Sequence, residues 1–123
     1  MADVTRRERQ VLDAVYRLGR ATCAEVQRAM PDPPSYSAVR TFLRILEEKG
    51  ILRHEQEGAR YVYIPTVGKE RASRSALRHV LNTFFAGSVT QAVSALLDEE
   101  SKNLSEKDWQ RLGAIVRQAR KDD

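Results

Sequence analysis

The sequence predicts a mainly α fold with a small β-hairpin. Three observations carry that prediction. Three amphipathic segments with helix-start signals precede Gly50, two short β-rich runs flank Gly58, and the helical period returns after Pro65. With 123 residues, 41% of them hydrophobic, the chain makes one domain or two small parts with little core to spare. The division falls after the hairpin, at residues 1–66 and 67–123.

The first helix starts at Thr5. Thr5-Arg6-Arg7-Glu8 has the Ser/Thr-x-x-Glu form in which each end side chain satisfies a free backbone N–H. Val11, Leu12, Val15 and Leu18 recur at helical spacing, and Gly19 ends the run. Thr22-Cys23-Ala24-Glu25 repeats the device for a second helix, which passes Val26 and Met30 and is halted by Pro31. Pro31-Asp32-Pro33-Pro34 is a stiff turn, since proline fixes φ and steers the preceding residue away from helical geometry. Ser35 caps a third helix running to Lys49, with a stripe of Val39, Phe42, Leu43 and Leu46 and with Ile45 at its edge. Gly50 closes it.

Residues 51–55 and 60–64 read as strands around the turn Gln56-Glu57-Gly58-Ala59, and Pro65 ends the hairpin. Residues 69–86 then carry Leu77, Val80, Leu81, Phe84 and Phe85 at helical spacing. Val89, Ala92, Val93, Leu96 and Leu97 form a second stripe, and Asp98 to Asn103 is a polar connection. Ser105-Glu106-Lys107-Asp108 caps a last helix with the stripe Trp109, Leu112, Ile115, Val116 and Ala119.

Composition removes several kinds of chemistry. The one cysteine, Cys23, cannot form an internal disulfide, and with only His54 and His79 as histidines no metal cluster is visible. Cys23 reads as a small residue in the first turn of a helix; for the alternative, an oxidation sensor, nothing nearby gives strong support. There is no phosphate-cradling glycine loop, no H-E-x-x-H and no nucleophile elbow. The carboxylates at Glu47-Glu48 and Asp98-Glu99-Glu100 lie in polar runs and read as solvated surface. Neither an enzyme nor a cofactor is expected. No apolar run approaches the ~18 residues of a membrane helix, and Met1-Ala2-Asp3-Val4 has no signal-peptide core, so a cytoplasmic protein without membrane insertion is expected.

The net charge of +4 permits nucleic-acid binding, but the excess is shared evenly, with 11 Lys/Arg against 9 Asp/Glu up to Pro65 and 10 against 8 after it. Placement therefore decides. Three helices followed by a hairpin is the order of the winged helix-turn-helix, whose third helix enters a major groove. Off the apolar stripe, that helix carries Ser37, Ala38, Arg40, Thr41 and Arg44, with Glu47 and Glu48 confined to its far end. Arg40 and Arg44 share a face at i, i+4 and suit forked contacts to guanine or phosphate, while Ala38 and Thr41 suit a thymine methyl or a phosphate. In the hairpin, Arg60 beside Gly58 is placed for a phosphate or minor-groove contact. Tyr61 and Tyr63 serve either the sheet face or DNA, and His54 reads as an ordinary surface residue. A winged helix that docks on a protein instead of reading DNA is the alternative, against which the basic, small-residue face of the third helix argues.

Beyond Pro65 the apolar stripes exceed what three short helices bury on one another. Either these helices fold back on the first three, or two copies pair; pairing is favoured, and it makes residues 67–123 a helical dimerisation region. The residues that would meet are Leu77, Val80, Leu81, Phe84, Phe85, Val89, Val93, Leu96, Leu112, Ile115 and Val116. A dimer places two winged helices on two half-sites, which raises affinity by linkage.

The run Ser35-Tyr36-Ser37-Ala38-Val39-Arg40-Thr41-Phe42-Leu43-Arg44-Ile45-Leu46-Glu47-Glu48-Lys49-Gly50, with Arg53-His54-Glu55 and Gly58-Ala59-Arg60-Tyr61-Val62-Tyr63-Ile64-Pro65, resembles the penicillinase repressor (BlaI/MecI) family. The likeness spans almost the whole chain and is looser after Pro65. It implies a homodimeric transcriptional repressor on a palindromic double-stranded DNA operator with TACA/TGTA-type half-sites, controlling beta-lactam resistance or related stress genes. It further implies base contacts from Ser37, Ala38, Arg40 and Thr41, with Arg44 beside them and wing support from Arg60. In the best-known members a membrane sensor-protease triggers cleavage in the C-terminal helices. The corresponding bond here is Ser94–Ala95, where those members carry Asn-Phe and this chain does not. Copper-responsive relatives carry a C-terminal cysteine cluster, which is absent here.

Overall fold

Five of the six α-helices start at a short polar side chain that caps them, and these caps set the frame. The computed structural model describes residues 3–122; Met1, Ala2 and Asp123, at the outer ends of the two expected segments, lie outside the described residues. The elements run α1 (Arg6–Leu18), β1 (Ala21–Thr22), α2 (Cys23–Ala29), α3 (Tyr36–Glu48), β2 (Leu52–Glu57), β3 (Arg60–Pro65), α4 (Lys69–Phe84), α5 (Val89–Glu100), a 3₁₀ turn (Ser101–Asn103) and α6 (Glu106–Lys121). Thr22 and Ser105 make full reciprocal caps with Glu25 and Asp108. Ser35 and Ser88 cap α3 and α5 through one bond each, from the Ala38 and Gln91 amides.

Thr5 makes only half of the expected reciprocal cap. Its hydroxyl accepts from the Glu8 amide, but the Glu8 carboxylate does not return to the Thr5 backbone. It takes the Lys49 ammonium at 2.6 Å and the Thr5 hydroxyl at 2.9 Å instead. A charge-assisted bond to an ammonium is stronger than one to an amide, so the lysine that ends α3 wins the carboxylate. Lys49 also donates to the Asp3 carbonyl at 2.6 Å. The start of α1 and the end of α3 are thereby tied together.

The residues up to Ser75 and from Ala76 onward form two compact units, with the boundary inside α4. In the first, α1 to α3 pack around Val11, Leu12, Val15, Val26, Val39, Leu43 and Leu46, all buried, and the sheet closes this core with Leu52 and Tyr63. Fully burying each such aliphatic side chain contributes roughly 1.5–3 kcal/mol. The sheet has three strands in the order β1-β3-β2, all antiparallel. Strand β1 was not foreseen, because two residues carry no periodicity. It forms through the pairing of Ala21 with Tyr63 and Thr22 with Val62. The hairpin loop is also shorter than expected: Glu57 pairs with Arg60, leaving only Gly58 and Ala59 in the turn. Gly58 has φ +63° and Ala59 does not, the form of a type II′ turn, which matches the twist of the flanking strands.

The second unit continues α4 and adds α5, the 3₁₀ turn and α6. Asp98 to Glu100, expected in a connection, extend α5, and Ser101 to Asn103 make the 3₁₀ turn. None of the described side chains of α4, α5 or α6 is buried in the single chain. No single helix among the described residues is long and apolar enough to cross a membrane.

The Glu8–Lys49 link yields a pH prediction. The Lys49 ammonium, with the Thr5 hydroxyl, holds the Glu8 carboxyl below a glutamate's usual 4.5. A carboxylate with a depressed folded-state value adds stability above that usual value and loses it as pH falls through the depressed one. Glu8→Gln should therefore lower the urea midpoint at pH 7, with the gap to the parent closing below about pH 4.5.

Candidate nucleic-acid interface

The segment that leads into α3 is pinned from two sides before the helix begins. Asp32 takes φ +49° in the turn. Arg7 of α1 donates to the carbonyls of Pro31 at 3.4 Å and Asp32 at 3.1 Å, and Gln27 of α2 donates to that of Pro34 at 3.0 Å. Pro31, Pro33 and Pro34 have no backbone N–H, so the turn has three fewer donors to satisfy. The Ser35 hydroxyl then receives the Ala38 amide at 3.1 Å, and α3 starts at a fixed point.

From that start, Val39, Leu43 and Leu46 fall on one side and are 0% exposed. Phe42 and Ile45 flank the stripe, half-buried. Ser37, Arg40, Thr41 and Arg44 all lie exposed, and Ala38 is half-buried beside them. The Thr41 hydroxyl donates to the Ser37 carbonyl at 3.1 Å, so toward a ligand it offers lone pairs and a methyl group rather than its proton. Arg44 pairs with Glu48 at 2.7 Å, both largely exposed. Such exposed pairs contribute ~0–1 kcal/mol, little enough for a phosphate to displace. Arg40 has no carboxylate partner among the described residues.

On the hairpin, Arg60 is exposed beside the turn and lines an open cleft of about 380 Å³ together with Arg20, Arg28, Glu25 and Glu57. Arg20 and Glu57 form an exposed ion pair. The Glu25 carboxylate, held below the usual range by its bonds to the Thr22 backbone and hydroxyl, also feels the charges of Arg28 and Arg60. Arg20 and Arg28 escaped the sequence reading. They come to Arg60 only because β1 pairs with β3, and nothing local in the chain signals that pairing.

For the hairpin, the structure gives Tyr63 the sheet-face role left open above and corrects the expectation for His54. Tyr63 is core, buried against the helices, and burial first and then the nearby Glu47 carboxylate push its hydroxyl above the usual range. Tyr61 is exposed. His54 is no ordinary surface residue: its Nδ1 lies 2.6 and 2.8 Å from the Glu47 carboxylate oxygens, and its ring stacks on Tyr61. Glu47 is correspondingly half-buried rather than freely solvated. Cys23 opens α2 as expected, nearly buried, with its thiol 3.7 Å from the Tyr36 carbonyl.

In the second unit the expected contact residues stand open. Leu77 and Phe84 are 70% and 73% exposed, and Val80, Val89, Val93, Leu96, Ile115 and Val116 are exposed as well. Leu81, Phe85 and Leu112 are half-buried. Ser94 and Ala95 lie within α5, the first exposed and the second half-buried. Among the described residues no three His, Cys, Asp or Glu side chains converge as a metal site.

The profile of the family described as penicillinase repressor matches residues 4–118. Among solved structures, the chain is similar to the CopR repressor at 31% identity, covering 54% of this chain and 99% of that one, with a TM-score of 0.46. It is similar to a mutant MarR from E. coli complexed with operator DNA at 17% identity, covering 95% and 76% of the two chains, with a TM-score of 0.54. It is also similar to BpsR from Bordetella bronchiseptica, whose DNA binding is regulated by 6-hydroxynicotinic acid, at 16% identity and a TM-score of 0.50 over 98% and 77%. The MarR likeness shows a shared fold. None of the curated proteins matches the chain.

Burial pushes the Cys23 thiol above its usual range, which leaves little of the reactive thiolate at neutral pH. Native protein should react with iodoacetamide far more slowly than urea-unfolded protein. Equal rates in the two states, followed by mass spectrometry, would contradict a buried thiol.

Proposed function

The chain belongs to the penicillinase repressor family, and from that premise we propose that it represses transcription as a homodimer bound to a palindromic operator. The family is one of transcriptional repressors, not enzymes. The observation that carries the finer reading is the outward face of α3, where Arg40, Thr41, Arg44 and Ser37 stand clear of the protein's own packing. In this proposal residues 1–66 hold DNA and residues 67–123 hold the second copy. Arg40 and Thr41 reach base edges, Ser37 and Ala38 accompany them, and Arg44 and Arg60 take backbone phosphates. Phosphate contacts set register and supply salt-dependent affinity, while base contacts supply discrimination. The protein acts in the cytoplasm, where the operator is.

The open stripes of the second unit support pairing. A helix in a protein draws most of its stability from packing its apolar face, and in the single chain α4 to α6 leave theirs half-buried or open. A second copy offers the same faces and removes both sets from water. Induction belongs to the same proposal. Cleavage at Ser94–Ala95 by a membrane sensor-protease system would sever α5 and release the operator in a beta-lactam or related stress response. Because the bond lies inside α5, that route requires the helix to open locally first.

Two measurements test this. Arg40→Ala should weaken binding to DNA fragments recovered from the genome by about 1–3 kcal/mol while leaving scrambled DNA little changed. A flat response of binding to salt would instead favour the protein-docking alternative. Leu77→Glu with Phe84→Glu should convert dimer to monomer by light scattering and weaken operator binding. A dimer that survives both charges would place the interface elsewhere.

A further inference from the structure

The side of the hairpin that meets α3 carries a contact that DNA binding by Arg40 and Arg60 leaves unexplained. His54 lies on β2, directly across from Tyr63 on β3. Its ring stacks on Tyr61 with centroids 4.0 Å and planes 11° apart, and it meets Tyr63 at 6.0 Å. Its Nδ1 reaches both oxygens of Glu47, near the end of α3. One imidazole therefore touches both strands of the wing and the third helix. Residues 55–61 are all exposed, so the outer wing has no core of its own to hold it. Its other charged tie, between Arg20 and Glu57, is on the open surface, where water weakens it. The His54 and Glu47 side chains are each about two-thirds buried, which spares their contact much of that screening.

We propose that His54 is a positioning residue that fastens the wing to the third helix, fixing Arg60 relative to Arg40 on a single duplex. This rests on the DNA-binding reading above. The groups around the ring define the fastening. Glu47 faces it from α3, and Tyr61 and Tyr63 face it from β3. Its neighbours on β2, Arg53 and Glu55, pair with each other at 3.6 Å, and strand alternation turns them to the opposite side. Arg40 and Cys23 act on the Tyr63 hydroxyl of this cluster. The one charged group in contact with the ring is thus a carboxylate.

The test uses the full chain and a duplex that the unaltered protein selects from a random-sequence pool. Glu47→Gln removes the charge with little change of shape, and His54→Phe keeps the stacked ring while removing the hydrogen bond. Both should bind the selected duplex about tenfold more weakly than the parent. Amide exchange over residues 54–62 should quicken in both, a readout that needs no DNA. Parent-like binding by both variants, or parental exchange over residues 54–62, overturns the positioning role and leaves the DNA-binding reading standing. Failure of the unaltered protein to enrich any sequence sinks the DNA-binding reading and takes this proposal with it.

Discussion

Burial of a single stripe of α3 is the constraint on which the rest of the first unit depends. A helix has one turn per 3.6 residues, so placing Val39, Leu43 and Leu46 against α1, α2, Leu52 and Tyr63 leaves the opposite side no choice but solvent. Those three burials together contribute several kcal/mol, at roughly 1.5–3 kcal/mol each. The exposed Arg44–Glu48 pair contributes ~1 kcal/mol at most. Hydrophobic packing therefore orients the helix, and the arginines on its outer side are not needed to hold it in place. That independence lets a surface be basic and small without endangering the fold.

The two units solve the problem of apolar surface differently. The first buries its stripes within the chain, with caps at Thr5, Thr22 and Ser35 delivering three helices at fixed starts. The second has equally regular caps at Ser88 and Ser105, yet Leu77, Phe84, Val89, Leu96, Ile115 and Val116 stay open. Capping contributes about 1 kcal/mol per helix and decides where a helix begins, not what covers its apolar side. The second unit is thus well specified in secondary structure and incomplete in burial. The same chain joins a unit that buries its own apolar stripes to one that leaves them open.

What was legible in the sequence is what is local. Caps, periodic stripes and the glycine of the hairpin announced all six helices and both long strands, because each signal lies within a few residues of the element it marks. The outward side of α3 followed from the same periodicity. What was missed depends on pairs far apart in the chain. Strand β1 exists only because Ala21 and Thr22 find Tyr63 and Val62, and Arg20 reaches Glu57 by the same route. Glu8 fits a reciprocal cap by pattern alone, but Lys49, 41 residues on, outcompetes the Thr5 backbone for its carboxylate. His54 looked like surface because nothing beside it in sequence predicts Glu47 and Tyr61 around it.

These distant pairs change what the acidic end of α3 means. Glu47 and Glu48, read by position alone, are merely the turn that leaves a groove. In the fold each has a cation or imidazole: Glu47 takes His54, Glu48 takes Arg44, and the adjacent Lys49 takes Glu8. A helix of 13 residues is about 20 Å long, some two screening lengths in physiological salt, so carboxylates at its far end act mainly on charges near that end. Their pairing neutralises that end locally, while Arg40, nearer the start, has no carboxylate partner among the described residues. The contacts that neutralise the far end also tie it to α1 and to the wing. Glu47, Glu48 and Lys49 together set the charge at the far end of α3, and two of them, Glu47 and Lys49, also attach the helix to the hairpin and to α1.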